Sequence, residues 1–220
     1  MKAVSVANGS GIRRLLNNRV SGLRVSPTVG INDISNQLIK DGKFVYKFGL
    51  GQSPFPVPSC VMQALSASSA QKDYLPAQGL LKLRENIAAY QNERNRRCKK
   101  TEYEASSIDA SEVFVGPGSK ELIFILQLVY YGDLVLQSPC WVSYGPQAKI
   151  IGRSINYIRS TIDTQWKICP TDLRAYFEKE GADKPRILIL NYPSNPTGQI
   201  YTDSELSAIA DVCREFGTIV

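Results

Sequence analysis

The sequence contains no histidine. That absence removes Ser-His-Asp and Cys-His catalysis, and histidine-based zinc sites, from what this chain can do by itself, so acid–base work must fall to other groups. There is no CxxC pair either. The five cysteines, Cys60, Cys98, Cys140, Cys169 and Cys213, are scattered and odd in number, which reads as reduced thiols in a reducing compartment rather than as a disulfide framework. Long apolar runs are also missing. The longest stretch, residues 122–131, is interrupted by Gln127 and falls far short of the roughly 20 residues that span a bilayer. No transmembrane helix and no membrane partner are therefore expected. With 43% hydrophobic and 21% charged residues, the disordered and collagen-like classes drop out, leaving a globular chain that can bury one sizeable core.

Acidic residues are absent before Asp33, whereas Lys2, Arg13, Arg14, Arg19 and Arg24 precede it. Such a segment suits either an organellar transit peptide or an arm that wraps a partner subunit. The rest of the positive excess, net +6, gathers at Arg94, Arg96, Arg97, Lys99 and Lys100, where a solvated helix end accounts for it. No nucleic-acid-binding motif or stacking platform accompanies the charge, so nucleic acid is not an expected partner. The expected location is the cytoplasm, with an organellar matrix as the alternative.

Along the chain, residues 1–43 read as an extended arm followed by a short helix over 33–41. KFGLGQSPFPVP at 47–58, with three prolines and two glycines, forbids a regular helix and reads as a rigid loop between two units. In the next segment Leu80, Leu83, Ile87 and Tyr90 recur at helical spacing, predicting an amphipathic helix with that stripe inward and its arginines in water. Residues 99–111 read as a polar surface connection. Strands are predicted at 113–115, 134–137, 154–158 and 186–190, with helices over 120–130, around Gln147 and over 171–180 between them. A final helix opens on the T-x-x-E capping box of Thr202 and Glu205. It buries Leu206, Ile209, Ala210, Cys213 and Phe216, and Gly217 closes it. Thr218, Ile219 and Val220 begin another apolar run, read as a strand cut short. Strands separated by helices imply right-handed crossovers, hence an α/β fold with a mostly parallel sheet flanked by helices.

Three oddities fall at strand ends, where open α/β sheets bind ligands. GPGSKE at 116–121 sits between a strand and a helix. Its glycines let backbone amides approach a ligand, and a helix start favours phosphate; a plain glycine-rich turn is the competing reading. SPCWVSY at 138–144 puts Trp141 just past a strand, where its face suits a flat heteroaromatic ring unless it is simply core. NYPSNPTG at 191–198 places two asparagines and two prolines at a buried strand end, a poor choice for packing but a good one for aiming an amide from a stiff backbone. At least one of Ser138-Pro139 and Asn195-Pro196 is expected to be cis.

These segments, in this order, resemble class I and II aminotransferases of the aspartate aminotransferase fold. NYPSNPTG is similar to N-P-x-N-P-T-G, with Tyr192 in place of the usual proline. FGLGQSPFPVP resembles G-E-P-D-F-x-x-P, DYLPAQGLLKLRENIA resembles Y-x-P-x-x-G-x-x-x-L-R-x-x-I-A, and SPCWVSY resembles P-x-W-V-S-Y. The resemblance implies a pyridoxal 5′-phosphate enzyme acting on an amino acid and a 2-keto acid. Residues 1–58 would form an N-terminal arm and part of the small domain, and 59–220 the first part of the large cofactor-binding domain.

It also implies roles. Gly118, Ser119 and Lys120 match the loop that holds the cofactor phosphate, and Trp141 matches the aromatic that stacks on the pyridine ring. Asn195 matches the amide that bonds the ring's phenolic oxygen and meets the substrate carboxylate, while Gly51 matches a backbone contact to that carboxylate. Tyr74 matches a tyrosine reaching the phosphate held by the other subunit, so a homodimer with shared sites is implied. Lys120 is a phosphate neighbour; the Schiff-base lysine of the family lies downstream of N-P-T-G, and so beyond Val220. The expectation is an N-terminal fragment, inactive alone, with no catalytic residue of its own. Gln52 and Pro54 stand where the family commonly has acids, which blurs substrate preference. The alternatives are another reaction on the same scaffold, a C–S lyase or a decarboxylase, or a truncated non-catalytic binding protein.

Overall fold

The computed structural model describes residues 17–97 and 107–220, and all that follows concerns those residues. The basic residues Lys2, Arg13, Arg14, Lys99 and Lys100, and the thiol of Cys98, lie outside them. In chain order the elements are α1 (Pro27–Lys40), α2 (Ser59–Ala67), α3 (Leu81–Arg97), a 3-10 turn (Ala110–Glu112), α4 (Ser119–Val129), β1 (Asp133–Ser138), α5 (Tyr144–Ile151), β2 (Ile155–Arg159), α6 (Pro170–Glu180), β3 (Arg186–Ile189) and α7 (Asp203–Glu215). The chain divides into two compact units, one formed by Met1–Leu50 with Phe124–Val220 and the other by Gly51–Ile123.

The first unit is built on a three-stranded parallel sheet of order β2-β1-β3. Leu134 pairs with Ile155 on one side and with Ile187 on the other, so β1 is the central strand. Its Leu134, Val135 and Leu136 are fully buried, the continuous apolar run expected where helices cover both faces. Val135, Leu188, Leu173, Phe177, Ile209 and Cys213 form the heart of the core beneath α6 and α7. Past α7, Ile219 makes a parallel bridge to Ile187, and its carbonyl accepts the Leu188 amide at 2.8 Å, so the predicted run at 218–220 does begin to extend the sheet beside β3.

Helix ends follow local chemistry. Pro27 at the first helical position starts α1 well before the predicted 33. Thr202 and Glu205 form the capping box of α7, and Gly217 takes the positive φ of its close. Within α7 the buried face is Ile209, Val212 and Cys213, with Ala210 exposed, a small rotation from the predicted stripe.

The second unit departs further from expectation. Residues 113–115 form no strand: Val113 ends the 3-10 turn, Phe114 is exposed, and Val115 gives its amide to the Gln78 carbonyl at 2.9 Å rather than to a sheet. On α3 the inward residues are Arg84 and Ala88, while Leu80, Leu83, Ile87 and Tyr90 are exposed. Arg84 is not a wet arginine. Its guanidinium donates to the Gly79 and Ala110 carbonyls and to Gln78 Oε1, tying the start of α3 to the 3-10 turn. Helix α2 has no counterpart in the sequence reading, because Pro58 at its N-cap offers no side-chain bond and neither end carries a helpful charge.

Candidate active site

Trp141 and Asn195 belong to the sheet unit. Because β1 and β3 are parallel neighbours, the loops that leave their carboxyl ends open at the same edge of the sheet. The loop after β1 carries Trp141, half-buried, whose indole meets the Tyr144 ring edge-on at 5.2 Å between centroids. The loop after β3 carries Asn195 on an exposed turn, held by Gly198 N–H to the Ser194 carbonyl at 2.7 Å and by Ser194 N–H to the Gln199 carbonyl at 2.8 Å. Both expected prolines are cis: Ser138-Pro139 and Asn195-Pro196, joined by Tyr192-Pro193.

Behind these loops lies a buried polar cluster that the motifs do not contain. Gln137, which follows the buried run Leu134, Val135 and Leu136 of β1, accepts a hydrogen bond from the Tyr201 hydroxyl at 2.9 Å. Its amide donates to Ser160 Oγ at 3.3 Å and to the Trp166 carbonyl. Ser160 Oγ and Ser160 N–H both donate to the carbonyl of Ser138, the residue before the cis proline. The Tyr201 hydroxyl accepts the Ile168 amide at 2.9 Å, and burial raises its pKa above the ordinary phenol value. Tyr201 also meets Tyr192 edge-on at 5.9 Å. Gln137 at the end of the predicted strand was the one available signal, since a carboxamide there needs partners.

Cys140 lies between the cis proline and Trp141, and burial pushes its thiol up. Tyr144 and Tyr157 are raised as well, first by burial and then by the nearby Cys140.

Gly51, Tyr74, Gly118, Ser119 and Lys120 belong to the second unit. Gly118 precedes α4 with φ of 99°, a left-handed conformation that favours glycine, and a Cβ there would meet nothing within 4 Å. The Gly118 carbonyl accepts from Glu121 and Leu122, closing the first turn of α4, whose first residues are Ser119 and Lys120, both exposed. The amides of that turn point out of the helix end together with the positive end of its dipole. Gly116 is packed instead: a Cβ would stand 2.8 Å from Leu122. Tyr74 and Gly51 occupy exposed loops, with Tyr74 fully open. Chemically, the residues supply a phosphate-compatible helix start, an aromatic face and a carboxamide on a proline-flanked turn. The described residues contain no cluster of metal-ligating side chains.

The profile of the family "Aminotransferase class I and II" matches residues 44–220. Among curated relatives, an aspartate aminotransferase of Bacillus subtilis is 30% identical over 207 residues, covering 92% of this chain and 49% of the relative. An aspartate aminotransferase of Bacillus sp. YM-2 is 31% identical over 214 residues, covering 95% and 51%. The chain thus spans about half the length of the curated relatives it matches. The aspartate aminotransferase of Thermus thermophilus solved with maleate superposes with a TM-score of 0.80 at 25% identity, over 92% of this chain and 51% of that one.

Proposed function

This chain belongs to the class I and II aminotransferase family, and on that premise we propose that the protein moves an amino group from an amino acid to a 2-keto acid with pyridoxal 5′-phosphate as cofactor. The observation that carries the reading is the pair of loops at one sheet edge, one presenting Trp141 and the other Asn195 from rigid proline-flanked backbone. Gly118, Ser119 and Lys120, at a helix start behind a left-handed glycine, suit the cofactor phosphate. Trp141 offers its face to the pyridine ring. Asn195 offers an amide to the phenolic oxygen and to the substrate carboxylate, and Gly51 a backbone contact to that carboxylate. Tyr74 is assigned to the phosphate of a second copy, in a homodimer with shared sites. When bound, pyridoxal phosphate supplies an electron sink for the α-carbon of an amino acid; this chain's part is anchoring and orientation.

The domain division at 58, an arm and partial small domain followed by the large domain, is part of the same proposal. So is a reducing location, cytoplasm or organellar matrix, which suits free Cys60, Cys140, Cys169 and Cys213. No described helix is long and apolar enough to cross a membrane. Aspartate and 2-keto acids are the first substrates to try, since the relatives above are aspartate aminotransferases.

The test is made on the full-length protein. Incubated with pyridoxal phosphate, an amino acid and a 2-keto acid, it should consume the two substrates one for one. Asn195→Ala should lower kcat/KM about 10- to 100-fold, the loss expected for a hydrogen bond to a charged group. Steady turnover of the amino acid with no keto acid present would overturn transamination in favour of a lyase or decarboxylase.

A further inference from the structure

We propose that Gln137 is a positioning residue whose buried carboxamide locks the loop carrying Trp141 to the loop carrying Asn195, and so sets how tightly the site holds its cofactor. This rests on the cofactor reading above and adds residues that it does not contain.

The hydrogen bonds run in one direction. Ile168 N–H donates to the Tyr201 hydroxyl, which donates to Gln137 Oε1; Gln137 Nε2 donates to Ser160 Oγ, which donates to the Ser138 carbonyl. A second donation from Nε2 reaches the Trp166 carbonyl. Each side-chain oxygen in the series is satisfied, and aligned chains of this kind reinforce one another where water is excluded. Gln137, Ser160 and Tyr201 are all at most 8% exposed, so none has water as a substitute partner.

The placement gives this series its consequence. Ser138 stands before the cis proline and directly ahead of the loop that presents Trp141, and Tyr201 follows the turn that presents Asn195. Gln137 and Tyr201 are 64 residues apart in sequence, so their bond is a tertiary tie between the two loops, added beyond the last β1–β3 pair at Leu136 and Ile189. The backbone between residues 160 and 168 is bent at Gln165 and Trp166, both with positive φ, and that bend brings the Trp166 carbonyl to Gln137. A leucine at 137 would fill the same space and leave the Tyr201 hydroxyl and the Ser160 hydroxyl each short of a partner.

The experiment titrates pyridoxal 5′-phosphate into the full-length protein and follows the induced circular dichroism of the bound cofactor, with a thermal melt of each cofactor-free protein alongside. Q137L and Y201F should each raise the apparent Kd about tenfold, and the double variant should be no worse than the weaker single, because both cut one series. S160A, which removes only a hydroxyl, should shift the Kd the same way by about threefold, and it carries the test if Q137L does not fold. A merely structural role would lower the melting midpoints and leave the Kd of the folded variants at the wild-type value; that result overturns the proposal. Wild-type protein that binds no cofactor would sink the functional reading as well, and is distinguishable from equal binding by wild type and variants.

Discussion

Arg186 shows how a single residue can join two elements. It opens β3 with its side chain fully buried, and its guanidinium reaches the carbonyls of Phe177, Gly181 and Ala182 at the C-terminal end of α6 while lying 4.7 Å from the Phe177 ring centroid. The last carbonyls of a helix lack intrahelical donors, and a cation there also meets the negative end of the helix dipole. Only the planar fork of arginine can serve several carbonyls and a ring face together. Arg186→Met, similar in length, should therefore lower the unfolding free energy by about 2–3 kcal/mol, the cost of buried acceptors left unpaired. Arg186→Lys should recover less than half of that. Denaturant unfolding measures both, and a variant as stable as wild type would contradict the assignment.

Helix α7 is fixed at its start by partners both within and outside it. The Thr202 hydroxyl accepts from the Glu205 amide, the Glu205 carboxylate accepts from the Thr202 amide at 2.7 Å, and Lys167 adds an ion pair at 2.8 Å from outside the helix. Thr202→Ala should cost about 1 kcal/mol by loss of the cap. Glu205 is held below its ordinary carboxyl value, chiefly by the Lys167 ammonium and then by the Thr202 amide. A depressed folded value means the stabilisation is present above the unfolded value of 4.5 and fades as pH falls through the lower folded one. The difference in thermal midpoint between wild type and Glu205→Gln should accordingly be largest near neutrality and shrink below pH 4.5. A difference unchanged to pH 3 would show that the charge is not involved.

The same helix shows what could be read from sequence and what could not. Its capping box is local, and so is legible, as are the strands β1, β2 and β3 and the loops that follow β1 and β3, whereas the buried stripe is turned from the predicted one to include Val212 and leave out Ala210. Residues 113–115 look like a strand by composition, but a strand exists only if a partner edge is available, and Val115 instead bonds Gln78. Arg84 carries no sequence signal of burial because its acceptors, the Gly79 and Ala110 carbonyls, are fixed by tertiary placement. The link between Gln137 and Tyr201 was invisible for the same reason.

Across the whole chain two opposing surface properties set its behaviour in solution. Helix α4 leaves Ile125, Leu126, Leu128 and Val129 exposed, and its one buried residue is Gln127. Contiguous apolar surface of this kind favours self-association. The net charge of +6 opposes it by repulsion between like-charged copies. Repulsion between surfaces is screened over about 8 Å at physiological ionic strength and over about 3 Å at 1 M salt, whereas the apolar attraction is not screened. The 220-residue chain should therefore self-associate more as salt rises, seen as growing weight-average mass in sedimentation or light scattering. Replacing Leu128 and Val129 together by glutamine keeps the charge and removes the two most exposed side chains of that face. The paired substitution should suppress the rise with salt. If mass instead falls with salt and the substitution leaves it unchanged, association is electrostatic and the α4 face plays no part in it.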